Sequence, residues 1–330
     1  MARLCRDCRA ALARCNLISN GSEPRESTVP RLSIVIPFEN DPSRLESTLL
    51  SVLENRPEDI ELILVHRGNY EDPYQLENDE LIVVESDGSA SSVELINEGV
   101  RAACASIVQI LPPGCTVDED WCEDVLDTFV DADVAAASIP LVSEDGSVRG
   151  WGLESVWLPR RSVCLKRRIS TEVAPMLHGG FFRRRVLLAL DGFYDDGSME
   201  SAECEFGIAI KTLGMRCEVV DSDDSYVVAD EHVVVQPAPS YSLGYAAGRL
   251  AQAYAKHPAS QVRIDSFVAR IGHVAGGLMS PATVAERLGW ALGVRDHSMV
   301  GHIDDRIDRA EQQLEAWRAS QVSRTMRRAA

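Results

Sequence analysis

The chain has 330 residues, of which 45% are hydrophobic and 25% charged, and its formal net charge is −18. Such an acidic protein is not expected to bind nucleic acid or an anionic membrane, because both need a basic face. The sequence has no run of the roughly 20 apolar residues that a membrane span requires. We therefore expect a globular, cytoplasmic protein with no integral membrane segment and no nucleic-acid partner.

The first 30 residues predict a flexible N-terminal segment. Residues 20–30, NGSEPRESTVP, are polar and contain two prolines, as is typical of a linker. Before them, Cys5 and Cys8 have the spacing of half a zinc site, although incidental thiols on a frayed helix are the alternative.

Apolar runs alternate with helical patterns from residue 31 onward. The runs at 32–37, 61–65, 81–85 and 107–111 predict buried strands, and 45–53 and 93–103 predict the helices between them. Further helices are predicted at 118–129, 186–190 and 201–213, further strands at 134–141 and 216–220, and irregular structure at 143–175. This alternation predicts a mostly parallel sheet whose ligand lies at the carboxyl ends of the strands.

Residues 229–330 predict a helical C-terminal region. From Tyr241 onward the pattern is helical, with breaks at glycine and proline. Five apolar side chains supply a face that we expect to pack on the sheet domain: Leu243, Leu250, Phe267, Val268 and Ile271.

An ordered set of segments within residues 31–228 resembles the family 2 glycosyltransferases, which have the GT-A fold. The segments are SIVIPFEN at 33–40, LESTLLSVL at 45–53, ELILV at 61–65, NEGVRAA at 97–103, HGGFFRR at 178–184 and LDGF at 190–193. The resemblance implies an α/β domain over residues 31–228, with a mostly parallel central sheet flanked by helices and the helical region behind it.

The resemblance also implies an activity, the inverting transfer of a sugar such as a hexose. The donor is a nucleoside-diphosphate sugar, and the unknown acceptor is a glycan, a lipid or a protein. In this family an Asp-x-Asp motif holds Mg²⁺ or Mn²⁺ on the diphosphate, where the metal offsets the charge of the leaving group. A carboxylate at the start of a late helix removes the acceptor proton.

Four residues match positions at which the family binds the nucleotide: Pro37, Glu39, His66 and Asn97. His66 stands where the family has an aspartate that contacts uracil. A histidine can still bond a base, but it cannot accept two N–H bonds as a carboxylate does. The alternative is an exposed loop histidine.

The metal motif is degenerate, because Pro112-Pro113-Gly114-Cys115 occupies its position. None of these side chains is a hard oxygen ligand of the kind that Mg²⁺ prefers. We therefore expect divalent-metal dependence to be weak or absent and assign no metal ligand. Asp118 and Asp120 follow, and are interpreted either as capping and charging the N-terminus of a helix that starts near Trp121 or as relocated ligands.

Glu203 matches the family's catalytic base. Glu200 and Glu205 are close in sequence and would raise its pKa by like-charge repulsion. The alternative is a solvated acidic first turn of a helix. His178, Arg183 and Arg184 are candidates for the diphosphate or the acceptor, since histidine and guanidinium groups can neutralise phosphate without a metal.

Two functions therefore remain open for the α/β domain, beside a third hypothesis, a redox or zinc module suggested by Cys5 and Cys8. The chain is either a glycosyltransferase that works without the usual metal, or a catalytically degenerate GT-A domain that binds a nucleotide or a protein. Glu203 favours the first, and the Pro-Pro-Gly-Cys replacement favours the second.

Overall fold

The computed structural model describes residues 29–329, except for residues 58, 74–75, 77–79, 156–161, 166–173, 236–237, 261 and 263–279. Almost all of the N-terminal segment predicted to be flexible, including Cys5 and Cys8, lies outside the described residues. Phe267, Val268 and Ile271 of the predicted C-terminal burial face also lie outside them.

The described residues form thirteen strands and eight helices. The strands are β1 (Leu32–Phe38), β2 (Ile60–His66), β3 (Ile82–Glu85), β4 (Ile107–Ile110), β5 (Cys115–Thr116), β6 (Val134–Ser138), β7 (Leu141–Ser143), β8 (Val148–Gly150), β9 (Leu153–Ser155), β10 (Ser162–Val163), β11 (Phe181–Arg183), β12 (Arg216–Val219) and β13 (Val227–Ala229). The helices are α1 (Pro42–Asn55), α2 (Ser92–Ala102), α3 (Glu123–Thr128), α4 (Arg184–Ala189), α5 (Met199–Thr212), α6 (Tyr241–Lys256), α7 (Pro281–Gly293) and α8 (Val300–Ala329).

Seven strands form a central sheet in the order β12-β6-β11-β4-β1-β2-β3. All pairings in it are parallel except those of β11, which runs antiparallel to β4 and β6. β1 lies between β4 and β2, and every residue of β1 is buried, as its largely apolar sequence predicts. Helix α2 packs closely on it, because a Cβ at Gly99 would collide with Val35. The predicted class, a mostly parallel central sheet flanked by helices with helices at the C-terminus, is confirmed.

The reversed strand β11 determines which residues reach which edge of the sheet. Phe181 pairs with Gln109 and Arg183 with Ile107, so β11 begins at the carboxyl edge of its neighbours and ends at their amino edge. Residues just before β11 therefore lie at the carboxyl edge, where Gly179 donates to Ile110 O at 2.8 Å. A strand of three residues carries too short a pattern to be predicted from the sequence.

A second, smaller sheet lies beside the first. It has four strands in the order β5-β13-β7-β8, and β9 pairs with β10 in a separate ribbon. The prediction of irregular structure at 143–175 is therefore wrong for β8, β9 and β10, whereas β7 begins at the last residue of the strand predicted at 134–141. These strands have two or three residues each, too few for an alternating pattern to register.

The C-terminal helices pack on the sheet domain through a buried ion pair. Arg306 of α8 donates to both carboxylate oxygens of Glu205 on α5, at 3.1 and 3.2 Å. Helices α6 and α7 approach closely at glycines, because a Cβ at Gly244 or Gly248 would meet the backbone of α7. The boundary between residues 31–228 and 229–330 remains a prediction. None of the described helices is long and apolar enough to cross a bilayer.

Candidate functional site

A cleft of about 670 Å³ opens at the carboxyl edge of the central sheet. Its walls include the loops after β1 and β4, His178 just before β11, the first turn of α5, and residues 232–234. This volume lies within the range of roughly 300–1,000 Å³ that is typical of small-molecule sites. Of the residues predicted to bind a nucleotide, Pro37 and Glu39 line the cleft.

The loop after β1 is tied to the loops after β2 and β3. A side-chain oxygen of Glu39 accepts a hydrogen bond from the Ser92 hydroxyl, and its backbone carbonyl accepts one from Asn69. Arg67 lies 3.9 Å from the Glu39 carboxylate and donates to Ala90 O at 2.7 Å. These contacts fix the position of Glu39 at one end of the cleft.

His178 and Glu203 form an acid–base pair in the cleft wall. Glu203 on α5 is 2% exposed, and its Oε1 accepts from the Leu177 backbone N–H at 2.7 Å. The same Oε1 lies 3.9 Å from His178 Nδ1, and His178 lines the cleft. Glu203 is therefore not a solvated acid in a helix first turn, but it does not itself line the cleft. The histidine is the member of the pair that a ligand would meet.

The two other acids of this cluster have separate roles. Glu200 lines the cleft, and its Oε2 accepts from the Ser198 hydroxyl at 2.7 Å. Glu205 is completely buried, pairs with Arg306 and accepts from the Tyr254 hydroxyl at 2.6 Å. Burial and the charge of Glu205 raise the pKa of Tyr254 well above its usual value, so this hydroxyl remains a donor. The charge of Glu205 is thus paired with Arg306 within the fold.

Arg44, which the sequence analysis did not identify, also lines the cleft. It lies in the first turn of α1, and its Nε and Nη2 donate to the two carboxylate oxygens of Asp230 at 2.7 and 3.2 Å. Its position in an ordinary amphipathic helix gave no signal, because its partner is 186 residues away in the sequence.

The loop after β4 does not fit a divalent cation. Pro112 and Pro113 line the cleft without offering a ligand. Burial raises the pKa of Cys115 to about 12, so its thiol stays protonated and is a poor ligand. Within the described residues no group of three or more His, Cys, Asp or Glu side chains could hold a metal ion.

The acids after this loop correct a sequence prediction. Helix α3 begins at Glu123, and its N-cap Cys122 makes no side-chain capping bond. Asp118 instead accepts from the Tyr226 hydroxyl, and Asp120 adopts a left-handed backbone with φ of 60°. Asp118 and Asp120 therefore do not cap the helix, and neither lines the cleft.

His66 and Asn97 are structural groups in the described residues rather than cleft walls. His66 is buried at the end of β2, and its Nδ1 accepts from Gly68 N–H at 3.0 Å, so it is not an exposed loop histidine. Asn97 is buried in α2, where its amide donates to Phe193 O at 2.9 Å and accepts from Phe193 N–H at 2.6 Å. Neither lines the cleft, so the predicted nucleotide contacts of these two residues are not supported.

Arg183 and Arg184 lie at the opposite edge of the sheet from the cleft. Arg183 is 8% exposed and donates to the carbonyls of Val134, Phe129 and Asp131 at 2.6–3.0 Å. Arg184 donates to the carbonyls of Val100 and Arg101. The structure thus corrects the expectation that these arginines reach a diphosphate. Because β11 is antiparallel, only His178 of the three candidates reaches the cleft.

A comparison with protein families finds one match. Residues 33–190, just under half of the chain, match the family described as glycosyl transferase family 2. The match confirms the resemblance for this segment, which carries β1 to β11 and His178. It ends before Glu203.

Two solved structures are similar to this chain. One is described as "Crystal structure of GalNAc-T7 with UDP, GalNAc and Mn2+", with 17% identity, a TM-score of 0.49, and coverage of 69% of this chain and 50% of that chain. The other is TarS from S. aureus, with 17% identity, a TM-score of 0.48, and coverage of 71% and 40%. This chain therefore spans half or less of either protein. No curated protein matched.

Proposed function

We propose that this protein transfers a sugar, such as a hexose, from a nucleoside-diphosphate sugar to an acceptor hydroxyl. The observation that carries the proposal is the cleft at the carboxyl edge of the sheet, with the His178–Glu203 pair in its wall. Ligands of parallel α/β sheets bind at this edge. The walls formed by the β1 and β4 loops and by His178 lie in the segment that matches a glycosyltransferase family.

The proposed reaction is a single displacement with inversion at the anomeric carbon. The acceptor oxygen forms a bond to that carbon while the bond from carbon to diphosphate oxygen breaks. The nucleoside diphosphate leaves with the electron pair of that bond, and the acceptor proton must go to a base.

The geometry favours His178 as the group that receives the proton. His178 lines the cleft, whereas Glu203 is buried beside it and faces its Nδ1. The charge of the Glu203 carboxylate, 3.9 Å from Nδ1, stabilises the imidazolium that forms. Glu203, which the family resemblance assigns as the base, acts through His178 in this proposal.

The test is turnover on a panel of nucleotide sugars, measured as donor hydrolysis and as transfer to simple acceptors. We expect Glu203→Gln and His178→Asn each to lower turnover by about 10²–10⁴-fold, the usual value of general-base catalysis. Glu203→Gln should leave nucleotide affinity within about twofold, because it removes no group that lines the cleft. The matched control is Glu218→Gln on β12, at a carboxylate that pairs with Arg216 away from the cleft. Full activity of both test variants would refute the assignment.

The pH profile separates a histidine base from a carboxylate base. A histidine base predicts an acidic limb of kcat/KM at clearly higher pH than a carboxylate base does, because imidazolium is the weaker acid. The Glu203 carboxylate favours the charged imidazolium, so Glu203→Gln should shift the acidic limb to lower pH. An acidic limb that stays unchanged in this variant would show that Glu203 does not act through His178.

The alternative function is a nucleotide- or protein-binding module without catalysis. The observation that favours it is the β4 loop, which lacks the ligands for a metal that would stabilise a leaving diphosphate. This alternative predicts that nucleotides bind in calorimetry, while no nucleotide sugar in the panel is turned over.

A further inference from the structure

Arg44 is the cation of the cleft. Among the cleft-lining residues in the described part of the chain, it is the only arginine or lysine. The other titratable groups that line the cleft are the acids Glu39, Asp41 and Glu200 and two histidines, His178 and His232. An anionic ligand in this cleft would therefore meet one permanent positive charge, on the α1 side.

The guanidinium is held against the loop after β4. Gly114, in that loop, has a φ of +90°, and a Cβ on it would collide with the Arg44 guanidinium and the Asp230 carboxylate. The Asp230 N–H donates to Gly114 O at 2.9 Å, which continues the pairing of β13 with β5. The Arg44 side chain therefore lies directly beside the segment that replaces the family's metal motif.

A second arginine fixes the residue that holds Arg44. Arg149 of β8 donates to Asp230 O at 2.6 Å and also to Val233 O. Asp230 Oδ1 itself accepts from the N–H groups of His232 and Val233 at 2.8 and 3.0 Å. Asp230 is thus anchored on both its backbone and its carboxylate before it pairs with Arg44.

We propose that Arg44 binds the diphosphate of the donor in place of a divalent cation, which rests on the proposed function. The bonds to Asp230 use Nε and Nη2, and a guanidinium has five N–H donors, so the Nη1 donors remain for a ligand. Guanidinium groups pair with phosphate through parallel hydrogen bonds, and Asp230 orients this one in advance. Unlike a metal ion, the charge is covalently attached and needs no acidic ligand pair.

The experiment is calorimetry with inorganic pyrophosphate, UDP and uridine on the full chain in EDTA. We expect Arg44→Met to weaken pyrophosphate and UDP binding by roughly tenfold or more, the usual size of charge-assisted hydrogen bonds. Uridine affinity should stay within about twofold. Arg44→Lys retains the charge but loses the planar guanidinium. Its affinity for pyrophosphate and UDP should therefore lie between those of wild type and Arg44→Met. Arg216→Met is the matched control, because Arg216 also pairs with carboxylates, Asp131 and Glu218, but away from the cleft.

The outcomes distinguish this inference from the proposed function. If wild type binds pyrophosphate and Arg44→Met binds it equally well, or if wild type does not bind it at all, the inference is overturned. Pyrophosphate binding to wild type is also measured with Mn²⁺ in place of EDTA. If the affinity is then tenfold or more higher than in EDTA, a metal acts there and the inference is also overturned. If Arg44→Met loses diphosphate affinity but no nucleotide sugar is turned over, the inference stands and the transferase activity fails. Circular dichroism of each variant checks that it is folded.

Discussion

Two arginines at opposite edges of the central sheet show how position decides the role of one side chain. Arg183, at the amino edge, is buried, and its guanidinium bonds three backbone carbonyls. Arg44, at the carboxyl edge, has about a quarter of its side chain exposed, pairs with one carboxylate and lines a cleft. The Arg183 guanidinium bonds the backbone of the fold, whereas the Arg44 guanidinium keeps donors for a ligand. Composition cannot distinguish them, whereas strand direction does.

A third arginine, Arg306, should contribute more to stability than either of these two. Arg306 is buried against Glu205 and also bonds the carbonyls of Leu190 and Gly192. Arg306→Leu should lower the free energy of unfolding by about 3–5 kcal/mol, because it leaves a buried carboxylate without its cation. Urea unfolding measures the change, with the exposed Arg309→Leu as control. A loss below about 1 kcal/mol would mean that the C-terminal helices are not held by this pair.

Arg183 should affect stability and not binding. Arg183→Met leaves buried carbonyls without a donor, so we expect a loss of about 2 kcal/mol or more in urea unfolding. Pyrophosphate affinity should stay within about twofold of wild type. A tenfold fall in pyrophosphate affinity in a folded Arg183→Met protein would place the binding site at the amino edge and contradict the structural role of Arg183.

A substitution at Gly114 should affect both the stability of the protein and binding in the cleft. Gly114→Ala forces a side chain onto a φ of +90° and pushes it into Arg44 and Asp230. We expect about 1–3 kcal/mol of lost stability together with weaker pyrophosphate binding. Gly146→Ala is the matched control, since its φ is +80° and nothing lies within 4 Å of the added Cβ. Equal pyrophosphate affinity in both variants would separate Gly114 from the site.

Arg44 itself should contribute little to stability. Its pair with Asp230 is partly exposed, at 26% and 23% of the two side chains, so Arg44→Met should cost less than about 1 kcal/mol. Its effect should be on binding, the reverse of Arg183→Met. A stability loss as large as that of Arg183→Met would make Arg44 a structural arginine.

The sequence predicted the parallel part of the fold well, because long buried strands such as β1 and β2 are largely apolar. It did not reveal β11, whose three residues carry no pattern, and that omission misplaced Arg183 and Arg184. It identified Glu203 and His178 as site residues. It could not predict that His178 faces the cleft and Glu203 lies buried behind it, because that depends on burial in the fold.

Arg44 was beyond sequence reasoning for a different reason. Its role depends on Asp230, and the pairing of β13 with β5 brings that residue beside the loop after β4. Asn97 illustrates the opposite case. Its motif suggested a ligand contact, whereas both ends of its amide bond the backbone of Phe193.

Hydrogen–deuterium exchange with and without saturating UDP tests most directly whether the carboxyl-edge cleft is the ligand site. Peptides that cover the loops after β1 and β4, residues 178–180 and the first turn of α5 should exchange more slowly with ligand bound. Peptides at the amino edge, around residues 129–134, should not change. Protection at the amino edge without protection of these loops would contradict the account.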